Sequence, residues 1–232
     1  MKPENLKFLS DQMLYCGFGK ELEKKLQNAM NKGKDEFSLN TKISYATFDG
    51  EKEASYKLNF KKGNDDMYFF NSYHITLNNE TAKMFVNRGE KNITSKEAFN
   101  LMEGRPVYRE LQTKGGEKYN AWVQIKPETL KEDNVRYQLY NDKYGFDAKA
   151  AINAINEHGF YFNFNSDNTI SNLKKGNLVE IHDADRATKL LVAANPGERG
   201  LSIFNGSGEQ LKLADLGKEQ GIEKSEKTGI SM

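Results

Sequence analysis

The hydrophobic pattern changes period several times along the chain, and each change predicts an element. After Pro3 at a first-turn position, Leu6, Phe8, Leu9, Met13 and Leu14 recur at helical spacing, so an opening helix is expected that stops at Gly17. Leu22, Leu26, Ala29 and Met30 put an apolar stripe on a second helix over residues 20–32, with Lys and Glu on its solvated side. From Phe37 the period falls to two: Phe37, Leu39, Ile43 and Tyr45 fit a strand with one buried face, and Tyr56, Leu58 and Phe60 answer it across a turn at 49–52. Shorter β-like runs follow at 67–70, 73–77 and 84–86. Residues 88–92 read as a connector, which places a boundary near residue 90, and Thr94 with Glu97 matches a capping box for the next helix.

The stretch 98–141 holds a compact order of events that recurs on either side. Ala98, Phe99, Leu101 and Met102 supply the apolar side of a short helix closed by Gly104. Runs at 107–112 and 119–126 flank a turn carrying Gly115 and Gly116, and a third run at 135–141 completes the unit. The same succession follows Gly33 and Gly176, and the three copies close on an aromatic followed by Asn71, Asn141 or Asn205. A helix over 148–158, capped by Asp147 and striped by Ala148, Ala151, Ile152 and Ile155, precedes the third copy. The aromatic run 160–164 beside it reads as core or packing between units rather than a base-stacking platform.

The pattern predicts an α+β fold of tandem units, each a helix on an antiparallel three- to four-stranded sheet, after an N-terminal helical segment. The expected divisions are a helix at 1–19, units at 20–90, 91–142 and 143–213, and a flexible Lys-, Glu-, Gly- and Ser-rich tail at 214–232.

Composition narrows the classes. Of 232 residues 37% are hydrophobic and 29% charged, with 14 Phe and 11 Tyr but one Trp, which fits a soluble globular chain with an aromatic-rich core. A net charge of +1 argues against holding duplex nucleic acid mainly by neutralising phosphates, although a local basic patch remains open. The single cysteine, Cys16, rules out an intrachain disulfide and a metal cage of two or more cysteines within one chain, and no disulfide-linked partner is expected. The amino terminus is too polar for a secretory core, and no run approaches the roughly 18 apolar residues of a membrane span. A cytoplasmic protein without a membrane partner is expected.

Candidate chemistry is sparse. His74, His158 and His182 stand in no catalytic or metal-binding spacing, and Cys16 among apolar neighbours reads as an inert thiol. Gly17-Phe-Gly19 reads as a helix break, since it follows a helix and lacks the lysine of a phosphate loop. His182, Asp183 and Asp185 are the one group that could seat a divalent ion, at a place where the third copy needs its turn. No catalytic residue is assigned and no cofactor is expected. Arg105, Tyr108, Arg109, Lys114, Lys118, Tyr119 and Trp122 put cations and aromatics on one hairpin, the pattern of a nucleic-acid or partner-binding surface. Core filling by Trp122 and the alternate aromatics is the competing role. Alternation sets Tyr119, Ala121 and Val123 on one side of that strand and Asn120, Trp122 and Gln124 on the other.

Several phrases are distinctive together: QMLYCGFG at 12–19, DMYFFN at 66–71, EAFNLMEGRPVY at 97–108, EKYNAWVQ at 117–124, YGFD at 144–147, KGN at 175–177 and ANP at 194–196. They resemble a domain-of-unknown-function family encoded on conjugative transposons and related mobile elements of Bacteroides-type bacteria, with a likeness running over nearly the whole chain. The segment 159–168 departs from that pattern, its aromatics standing where the family has a more polar helical connector. The resemblance implies cargo or an accessory component of element transfer, with counter-defence in a recipient cell as a related theme, and it carries over no catalytic residue. The expectation is a non-enzymatic module of a mobile element that holds a protein or nucleic acid. The alternative is a counter-defence enzyme, a nuclease or nucleotide hydrolase, with a metal near His182.

Overall fold

A computed structural model describes residues 2–48, 50–87, 92–130 and 134–216. Most of the expected connector at 88–92, the boundary near residue 90 and the tail beyond 216 lie outside the described residues. The elements run α1 (Pro3–Tyr15), α2 (Glu23–Asn31), β1 (Glu36–Thr47), β2 (Gly50–Lys62), β3 (Tyr68–Leu77), β4 (Glu80–Phe85) and α3 (Ser95–Met102). Then come β5 (Val107–Gln112), β6 (Lys118–Ile125), β7 (Tyr137–Asn141), α4 (Ala148–Glu157), β8 (Phe160–Phe162) and α5 (Ser166–Lys174). The last strands are β9 (Val179–Asp183), β10 (Lys189–Asn195), β11 (Gly200–Phe204) and β12 (Gln210–Leu211). The fold is α+β with an N-terminal helix, and its three sheets have the orders β1-β2-β3-β4, β5-β6-β7 and β12-β11-β10-β9-β8.

Gly33, Gly104 and Gly176 each take positive φ, at 70°, 77° and 73°, directly after α2, α3 and α5, where an antiparallel meander begins. The sheets differ in size, with four, three and five strands, and β8 enters the third from ahead of α5. The third is larger than expected because the aromatic run forms β8, an edge strand paired to β9, and because β12 adds to β11. The runs expected at 67–70 and 73–77 are one strand: the ladder opposite β2 skips Asn71, a bulge that breaks the two-residue period without exchanging the faces.

Contacts divide the chain into two compact units. The first comprises the residues up to Gly104 with Ile125–Tyr137, and the second Arg105–Gln124 with the chain from Gln138 onward.

In the first unit α1 and α3 pack on β3 and α2 on β1. They cover the face that carries Leu39, Tyr56, Leu58, Phe60, Phe70, Tyr73, Ile75 and Met84, all buried. Phe18, released from α1 by Gly17 at φ 83°, meets Tyr56 and Tyr73 edge-on at 5.3 and 5.0 Å. The Tyr73 hydroxyl donates to the carbonyl of Ile93 at 2.6 Å and that of Tyr56 to Ser95 at 2.9 Å, which fastens the entry of α3 to the sheet. The capping box is formed: Thr94 Oγ1 accepts from the Glu97 amide at 3.3 Å, and Glu97 Oε2 accepts from the Thr94 amide at 2.9 Å.

The second unit buries Trp122, Ile152, Ile155, Phe160, Leu173, Val179, Ile181, Leu190, Val192, Ala194 and Ile203 in one core. Asp147 caps α4 by accepting from the amides of Lys149 and Ala150.

Candidate functional site

The hairpin singled out in the sequence does not present its cations and aromatics together. Antiparallel register sets Tyr108 opposite Trp122 and Gln112 opposite Lys118, whereas Arg109 faces Ala121 and Leu111 faces Tyr119. Tyr108, Lys118 and Trp122 therefore share one face, and Arg109 and Tyr119 lie on the other. Trp122, 5% exposed, is a core residue packed edge-on against Tyr108 and Phe146, each at 5.3 Å. Ala121 and Val123 are buried as well, so both sides of the middle of β6 are covered. Arg105 is buried and donates from Nε to the carbonyl of Gly176 at 2.9 Å, where it satisfies the end of α5. Lys118 pairs with Glu110 at 2.8 Å, and Lys114 is exposed at the turn. The hairpin is mainly a structural element.

The metal alternative loses its ligands to turn building. Asp183 accepts from the amides of Ala187 and Thr188 through its two carboxylate oxygens, and His182 donates from Nδ1 to the carbonyl of Asp183 at 2.8 Å. Asp185 is exposed on the turn itself. Among the described residues no group of three or more His, Cys, Asp or Glu side chains gathers as a metal's ligand set would. Cys16 is buried and forms no disulfide. Among the described residues no helix is long and apolar enough to cross a membrane.

A different surface concentrates charge. The face of the β1–β4 sheet opposite its helices is assembled from strand positions that alternate with the core, and the register stacks them into cross-strand rows, three of them central and flanked by rows that carry Glu36 with Lys61 on one side and Glu53 and Glu51 on the other. The middle row is Asn40–Lys57–His74–Lys83. Beside it run Lys42–Ser55–Thr76–Thr81 on one side and Ser38–Asn59–Ser72–Phe85 on the other. These three rows hold three lysines, a histidine, amides and hydroxyls, and no carboxylate. At the margin Glu53 pairs with Lys42 at 2.7 Å, both side chains being exposed, so that pair is weak. An open groove of about 550 Å³ draws its lining from both faces, with Lys25 of α2, Thr41 and Tyr56 from the helix-covered side and Asn40, Lys42, Ser55, Lys57 and Thr76 from the outer one.

His74 organises the centre of this face. Its Nδ1 accepts from Asn59 Nδ2 at 3.1 Å, and the same amide nitrogen lies 3.2 Å from Ser72 Oγ, leaving Nε2 as the protonated nitrogen of the neutral ring. Partial burial, then the neighbouring Lys83 and Lys57 ammonium groups, holds the imidazole below its ordinary pKa of 6.5. The ring is therefore neutral at pH 7, and the net charge of the rows comes from the lysines. A surface of this kind offers cationic and neutral hydrogen-bond donors to an anion with several acceptors.

Comparisons with protein families, with characterised proteins and with solved structures return no match for this chain. Nothing in residue order marks Lys42, Lys57, Lys83 or Phe85 as a site, and His74 alone stands in no catalytic or metal-binding spacing. The polar phase of each strand is legible, but only the pairing register shows that four such phases meet as one cationic field.

Proposed function

We propose that this protein is a non-enzymatic binding module that holds nucleic acid on the outer face of its four-stranded sheet, as an accessory component of a conjugative or related mobile element. The observation that carries the reading is the row of Lys57, His74 and Lys83, which holds no carboxylate, with Lys42 beside it, on a sheet whose other face is filled by helices. A phosphodiester backbone is the repeating anion that such spaced ammonium groups complement. The mobile-element setting rests on the sequence resemblance alone, and a cytoplasmic location fits a single, buried cysteine that forms no disulfide.

Retention of labelled single- and double-stranded DNA and RNA at low salt tests the reading. Binding that falls steeply with salt and is lost in Lys57→Glu/Lys83→Glu supports it. Absence of retention at low salt, or retention indifferent to the double substitution, overturns it.

A further inference from the structure

The same face carries an aromatic that its cations do not need. Phe85 closes β4 on the outer side of the sheet with 58% of its surface exposed. Alternation explains why it points outward, since its neighbours Met84 and Val86 are buried, but not why a phenyl ring occupies a position where serine or asparagine stands on the other strands. The Lys83 ammonium lies over one face of the ring, 5.0 Å from its centroid, so a cation backs the ring and a base would stack on the opposite face. In the row that ends at Phe85, Ser72 places a hydroxyl next to the ring and Asn59 an amide one strand further.

We infer that the outer face takes single-stranded nucleic acid, with a base stacked on Phe85 and the adjoining phosphates on Lys57 and Lys83. This rests on the nucleic-acid reading of the face and goes beyond it by naming the form of the ligand. Bases in a duplex are stacked on one another and present only their edges, so Phe85 has no π-face to meet there, whereas a single strand can splay its bases onto an aromatic side chain. Four strands at about 4.8 Å spacing give a platform roughly 14 Å across, a broad flat surface rather than a ridge that enters a groove. The ring's exposed position also means that removing it empties no core.

Fluorescence anisotropy of the full chain with a short labelled oligothymidylate, a duplex of the same length and a heparin fragment tests the inference. The single strand is expected to bind more tightly than the duplex. Phe85→Ala is expected to weaken single-strand binding about tenfold while leaving duplex and heparin binding, the salt slope and the thermal midpoint unchanged. Phe85→Trp is expected to restore or improve on the original affinity. If Phe85→Ala binds the single strand as the parent does while Lys57→Glu/Lys83→Glu does not, stacking is overturned and the charge-based reading stands. If the parent binds none of the three anions, both fall and the face belongs to a protein partner.

Discussion

His74 shows how one residue joins stability to ligand binding. It is flanked by Lys57 on β2 and Lys83 on β4, and the group bonded to its Nδ1 is the neutral Asn59 amide, so neither neighbouring strand offers it a negative charge. Its folded pKa lies below the ordinary 6.5, from burial first and the two lysines second. As pH falls through 6.5 the unfolded chain takes up a proton before the folded one does, so the stability this residue contributes is present above that pH and is lost as pH drops toward the folded value. Denaturant titrations at a series of pH values should therefore show a weaker acid-side loss in His74→Gln than in the parent. A bound polyanion reverses the sign of the local field and favours the imidazolium, so affinity should rise on going from about pH 7.5 to about pH 5.5, and less so in His74→Gln. Equal pH dependence in the two proteins would detach His74 from the site. A lone histidine in a strand gave no such hint in the sequence, because its meaning comes from lysines 17 and 9 residues away that only strand pairing brings alongside.

At the level of elements, local chemistry fixes where helices begin and end. Thr94 and Glu97 close a capping box that starts α3, and the residues on either side of it are tied to the sheet through Tyr73 and Tyr56. Thr94→Ala should lower the stability of the protein by about 1 kcal/mol in urea titration, with Thr94→Ser close to the parent. An unchanged midpoint in the alanine variant would mean that packing alone holds α3. The box, the helix-ending glycines and the alternating runs were all readable from residue order, because each depends on neighbours within four positions. Other elements were not. Asn71 bulges out of β3, so the run reads as two short strands when it is one, and Asn78 with Asn79, at φ 51° and 65°, turns the chain tightly enough for β4 to begin at Glu80 rather than 84. β8 is three residues long, and its strand identity comes from pairing with β9. Trp122 and Arg105 looked like surface-binding residues by type, yet tertiary packing took both inside.

For the molecule as a whole, the net charge is +1, so long-range attraction to a polyanion is nearly absent and binding must depend on where the lysines stand. If the single strand displaces counterions mainly through Lys42, Lys57 and Lys83, the plot of log affinity against log salt should have a slope of about −2. Replacing those three lysines by glutamate changes each charge by two and takes the net charge from +1 to −5. The same change at Lys2, Lys20 and Lys32, all exposed and on the helical segments that cover the other face of the sheet, gives a chain of identical net charge. The first triple variant should lose binding and the second should keep both most of its affinity and the slope near −2, since charges separated by more than a Debye length of about 8 Å at physiological salt are largely screened. Equal loss in the two variants would assign the attraction to overall charge and remove the face as the site. A slope much steeper than −2 in the parent would mean that cations outside these rows meet the phosphates, and the same pair of variants would show how far they lie from the sheet.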